Sequence, residues 1–193
     1  MTGSSRIGVL SVGNVLMGDD GIGPYVLKIL ESRYEFPENV TLLDLGTPGL
    51  GITSFFADYD SIILIDAVSA KGEPGQVFLY RKEQLVRVPI PQRVSPHDPA
   101  LVEALLFAEF SGKCPREVVL IGIVPETVEL GCEITQKVMA AVEPAIFAIL
   151  EELGELGAHP LPRAQALPPS IWWQDDVSSR NPAGEEHVPG YSR

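Results

Sequence analysis

Residues Ile7–Arg33 read IGVLSVGNVLMGDDGIGPYVLKILESR, and this stretch decides the fold. Its opening, Ile7 to Val12, is a short continuous apolar run that ends at Gly13-Asn14. A run without polar alternation suits a central strand covered on both faces. After the glycine-rich turn, Ile22, Val26, Ile29 and Leu30 recur at helical spacing up to about Tyr34, which predicts a helix with one apolar stripe.

The same alternation continues outward. Val40 to Leu45 reads as a second strand, followed by Gly46-Thr47-Pro48-Gly49 and a short helix near Ile52 to Ala57. Ser61 to Ile65 is a third, β-branched strand with Asp66 at its carboxyl end. The next connection, Ala67 to Gly75, is too short for a helical crossover, so Gln76 to Tyr80 is expected to run antiparallel to a neighbour. The proline-rich stretch VPIPQRVSPHDP, 88–99, leads into a helix with Asp98 as its N-cap, Pro99 in its first position, and Leu101, Leu105 and Ala108 on its inner face. Val118 to Val124 is another buried strand. Thr135 to about Leu153 is a long closing helix, which Pro144 should kink or split. The expected fold is an α/β three-layer sandwich: a twisted, mostly parallel five-stranded sheet with one antiparallel strand and helices on both faces.

A chain of 193 residues suits one domain, here 1–157. From Ala158 the character changes. The last 36 residues hold six prolines, both tryptophans and two of the three histidines, with no apolar period. This segment, 158–193, reads as an extended or disordered tail, and Trp172-Trp173 within it as a pair that docks on something, a partner or the domain's own surface. The net charge of −12 argues against nucleic acid and against anionic lipid as partners. No run reaches the roughly 20 apolar residues of a membrane span, and no secretory leader is visible, so the expected location is the cytoplasm. Cys114 and Cys132 are 18 positions apart, without zinc spacing, and read as reduced thiols.

Asp19-Asp20, Asp66 and His97 stand at separate joints of this chain. In a parallel sheet, ligands gather outside the carboxyl ends of the strands, and all three positions open at or near that edge. Two carboxylates and an imidazole form a ligand set for a borderline transition metal. Each position also has a simpler reading: a helix cap for the aspartate pair, a loop-amide acceptor for Asp66, a carbonyl-bonded imidazole for His97. The glycines at 13, 18, 21 and 23 do not spell G-x-G-x-x-G, and no Walker lysine follows, which disfavours a nucleotide module. Ser95, Cys114 and Cys132 lack any local nucleophile signature.

The motifs VGNVLMGDDGIG, LDLGTPG, IILIDA, SPHD and LIGIVPE, in this order and spacing, resemble the nickel–iron hydrogenase maturation endopeptidases. The resemblance covers about Arg6 to Gly157. It implies a protease that trims the carboxyl-terminal peptide from a hydrogenase large-subunit precursor once nickel is in place. It also implies Asp20, Asp66 and His97 as metal contacts, Asp20 and Asp66 as the catalytic carboxylates, and nickel as an ion that the precursor supplies. Asp19 is then a turn or supporting residue, while Asp44 and Thr47 line a peptide groove or serve as cap and turn residues. The runner-up is a non-catalytic nickel-binding assembly protein for the same precursor.

Overall fold

The computed structural model describes residues 5–87 and 100–174. Along the chain come β1 (Ile7–Ser11), a 3-10 turn (Gly18–Gly21), α1 (Ile22–Arg33), β2 (Tyr34–Glu35) and β3 (Val40–Asp44). A second 3-10 turn (Gly49–Ile52) runs into α2 (Thr53–Phe56), then β4 (Ser61–Ala67), β5 (Val77–Arg81) and α3 (Lys82–Arg87). The remainder is α4 (Ala100–Phe110), β6 (Glu117–Ile123), α5 (Gln136–Met139), α6 (Val142–Glu155) and β7 (Leu161–Pro162).

The main sheet has five strands in the order β3-β1-β4-β6-β5. The pairs β1–β3, β1–β4 and β4–β6 are parallel, and β5 runs antiparallel to β6, as the short preceding connection predicts. Side chains alternate across the strands, so one set builds each core. Ile7 and Val9, Ile63 and Ile65, and Ile121 and Ile123 face α1, α5 and α6. Leu10 and Val12, Ile62 and Leu64, and Val118 and Leu120 face α2, α3 and α4. Both faces are apolar because both carry helices, which is why these strands read as unbroken hydrophobic runs.

The closing helix is split, as Pro144 suggested. A proline ring clashes with the carbonyl four residues earlier, here Ala140, and the chain breaks there between α5 and α6. Ala141 N–H instead donates to the Val138 carbonyl at 2.9 Å. Three elements carried no sequence signal: α3, and the two-residue strands β2 and β7, which pair antiparallel with each other. The helix start expected at Asp98-Pro99 lies outside the described residues; α4 begins at Ala100.

Packing continues past Gly157. Arg163 N–H donates to the Arg33 carbonyl and Leu167 N–H to the Ser32 carbonyl, both at 2.8 Å. Ala158, Ile171 and Trp173 are buried in the same cluster as α1 and α6, with Trp173 only 3% exposed. Its neighbour Trp172 points outward. Residues 158–174 therefore lie back along the domain's own surface. Among the described residues, no helix is long and apolar enough to cross a membrane.

Candidate active site

From β1 the chain crosses to β3 on one side, while β4 lies on the other, so the strand order reverses between β1 and β4. A crevice opens outside the carboxyl ends of strands at such a reversal. The chain leaves β1 pinned on both sides: Val12 N–H donates to the Ile65 carbonyl and Gly13 N–H to the Gly46 carbonyl, each at 2.9 Å. Gly13 has φ of +141°, and a Cβ there would meet the Asp20 carbonyl oxygen at 2.0 Å. Only glycine lets the 3-10 turn fold back over the strand end. Gly23 is equally confined, since a Cβ would come within 2.5 Å of the Val12 carbonyl and 2.6 Å of the Ile65 carbonyl. The first turn of α1 thus sits directly on the ends of β1 and β4.

Asp19 and Asp20, adjacent on that turn, have different surroundings. Asp19 is fully buried and accepts from Glu126 N–H at 2.8 Å, Thr127 N–H at 3.1 Å, Thr135 N–H at 2.6 Å and the Thr135 hydroxyl at 3.0 Å. Its own N–H donates to the Thr127 carbonyl. This carboxylate staples the turn to the loop after β6, the supporting role expected of it. Asp20 is 5% exposed, and its Oδ2 accepts from Asn14 N–H at 2.7 Å. A short bond from a fixed backbone amide orients this carboxylate over the end of β1.

Asp66 is the sixth residue of β4 and shares the parity of Ile62 and Leu64, so it belongs to the α2–α4 side of the sheet. It is half-buried in a cleft of about 260 Å³, counting the open mouth, lined also by Val12, Pro48, Gly49, Ile52, Leu64, Leu101 and Leu120. Asp66 thus stands at the end of β4, next to β1, over whose end the turn carrying Asp20 is folded back. His97 lies outside the described residues. Among the described residues, no group of three or more His, Cys, Asp and Glu side chains gathers as a metal cage.

The remaining candidates have structural places. Asp44 Oδ1 accepts from the Ser11 hydroxyl at 3.0 Å and from Gly46 N–H at 3.1 Å, which closes the turn after β3. Cys114 and Cys132 are free thiols, half-buried against opposite cores, and neither lines the cleft. Burial pushes the Cys114 thiol above its ordinary range; nearby Lys82 lowers it and Glu109 raises it. The aliphatic wall around Asp66 was not read from the sequence. Its members come from β1, the second 3-10 turn, β4, α4 and β6, and only the sheet's order and parity bring them together.

Several known proteins are similar to this chain. The HycI family model, described as hydrogenase maturation protease, matches residues 24–152. The hydrogenase 2 maturation protease of Escherichia coli (strain K12) is 37% identical over 159 residues, covering 82% of this chain and 96% of that protein. A hydrogenase expression/formation protein, HupM, of Azotobacter chroococcum mcd 1 is 34% identical over 190 residues, covering 96% and 91%. The structure of the hydrogenase maturating endopeptidase HybD from E. coli superposes with a TM-score of 0.76 at 37% identity, covering 82% of this chain and 98% of that one. The [NiFe] hydrogenase maturation protease HybD from Thermococcus kodakarensis gives 0.62 at 30% identity, covering 77% and 98%. With a family match over most of its length, and relatives of this similarity along nearly their whole chains, this protein belongs to the hydrogenase maturation proteases, a family of peptidases.

Proposed function

We propose that this protein is an endopeptidase that removes the carboxyl-terminal peptide of a nickel-loaded hydrogenase large-subunit precursor, and that it does so in the cytoplasm. The observation that supports the reading is that Asp20 is held over the end of β1 by Asn14 N–H while Asp66 stands at the end of the neighbouring strand β4. His97 is four positions before Leu101, which lines the same cleft as Asp66; that is a reach of at most about 14 Å. An imidazole on so short a tether can join the two carboxylates around an ion carried by the precursor.

Two carboxylate oxygens and one imidazole nitrogen leave coordination positions open, so the precursor's own ligands complete the set. Loaded and empty precursors then differ by several coordination bonds, and nickel acts as a checkpoint. Bound there, nickel would also supply Lewis acidity near the scissile carbonyl. For the hydrolysis, water oxygen bonds to the carbonyl carbon while one of the two carboxylates takes its proton. The C–N bond then breaks, and the proton passes to the leaving amine. Asp19 acts at a distance, by holding the turn that carries Asp20.

The test is the intact mass of the large subunit after incubation with purified protein. Nickel-loaded precursor should lose a peptide's mass, and metal-free precursor should keep it. Asp66→Asn and His97→Ala should melt normally yet slow processing by about a hundredfold or more. Binding without any change in mass would identify an assembly protein instead. Normal rates in both variants would sink the site.

A further inference from the structure

Resting on the endopeptidase reading above, we infer that Asn14 is a positioning residue for the hydrolysis: its side-chain oxygen braces the turn from Asn14 to Met17 and so keeps the Asp20 carboxylate aimed. Three hydrogen bonds close a ring here. Asn14 N–H donates to Asp20 Oδ2 at 2.7 Å, Asp20 N–H donates to the Met17 carbonyl at 3.1 Å, and Met17 N–H donates to the Asn14 carbonyl at 3.0 Å. Within the ring, Asn14 Oδ1 accepts from Leu16 N–H at 3.0 Å. An asparagine that bonds the amide two residues onward restrains its own backbone torsions, and with them the direction of its own N–H. The Asp20 carboxylate is thus aimed through Asn14 as a whole, side chain included.

Leu16 is 49% exposed, so apolar packing of its side chain contributes little to the shape of this turn. The turn nevertheless lies tightly against the one that carries Asp20, since a Cβ on Gly21 would come within 3.1 Å of Val15 Cα. Any shift of the first turn is therefore passed to the second by contact as well as by hydrogen bonding. Asp19 secures the same 3-10 turn to the loop after β6, so the adjacent aspartates depend on separate braces. Placement matters for rate: a reacting group displaced by about an ångström can cost on the order of a hundredfold. Among side chains that could stand at position 14, Asp keeps the accepting oxygen, Ser keeps a weaker one, and Ala has none.

The experiment compares Asn14→Ala, Asn14→Asp and Asn14→Ser with the wild type in kcat/KM on nickel-loaded precursor. Assays are run well below each melting temperature, where a loss of stability alone leaves the folded fraction, and hence the rate, unmoved. Asn14→Ala should lose about tenfold or more. Asn14→Asp and Asn14→Ser should each outrun it by about threefold or more, because each restores an acceptor for Leu16 N–H. An alanine variant as fast as the wild type, or acceptor variants no faster than alanine, would overturn the brace. A second readout needs no precursor. The amide proton of position 14, drawn downfield by its short bond to a carboxylate, is followed by NMR. It should move upfield in Asp20→Ala and in Asn14→Ala, and stay downfield in Asn14→Asp. If it does so in a protein that leaves the precursor whole, the endopeptidase reading fails and the brace stands. An amide proton indifferent to Asn14→Ala, in a protein that does cut, overturns the brace alone.

Discussion

Asp19 and Asp20 are joined by one peptide bond and answer to different demands. The Asp19 carboxylate receives four hydrogen bonds from a loop more than a hundred residues downstream. Replacing it by alanine leaves three backbone amides without their acceptor inside the protein. Asp19→Ala should therefore cost about 3 kcal/mol or more, measured by urea denaturation. The sequence showed the pair as chemically interesting, but its division of roles depends on partners at 126, 127 and 135 that no local pattern announces. The position of Asp66 was legible because a carboxylate follows an unbroken apolar run at the end of a strand, and the structure places it near the end of β4. Cys114 gives a check through pH. Its thiol is pushed up chiefly by burial, so less of it is thiolate at a given pH than in a free peptide. Alkylation by iodoacetamide should lag a cysteine peptide at neutral pH and keep rising with pH after the peptide's rate has levelled.

Among the elements, α1 is closely confined where Gly23 meets the strand ends. Gly23→Ala would drive a methyl into two backbone carbonyls that cannot move independently of β1 and β4. The expected result is a loss of several degrees in Tm together with a fall in processing, because displacing α1 also displaces the turn that carries Asp20. An unchanged Tm would mean that the helix has room to shift. The large elements were readable because burial on two faces imposes long apolar runs, and Pro144 has a fixed steric effect. α3 was not readable: it is six residues long and leads into a proline-rich stretch that reads as loop. β2 and β7 exist only because the chain end returns to pair with them, a non-local event. Arg81 shows the same dependence at the sheet edge. It makes two hydrogen bonds to the buried Glu152 of α6, at 2.8 and 2.9 Å, and this pairing raises the guanidinium pKa further.

At the scale of the whole molecule, the returning segment extends the first core beyond the domain's last helix. Removing residues 158–193 should lower Tm, and Trp173→Ala alone should cost about 3 kcal/mol, checked by thermal and urea melts of both proteins. A truncated chain as stable as the full one would show that Ile171 and Trp173 add little. The segment looked unstructured because two anchors spaced two residues apart leave no helical or strand period to detect. The placement of its indoles also supplies an optical probe. Both tryptophans of the protein lie in this one dipeptide, ring against ring at 5.7 Å, one sealed and the other facing solvent. Ultraviolet emission from the native chain thus comes from a single spot, and a quencher such as iodide should dim the outer ring while sparing the inner. Red-shifted, fully quenchable emission would then mark the moment the strap lifts away, without any label.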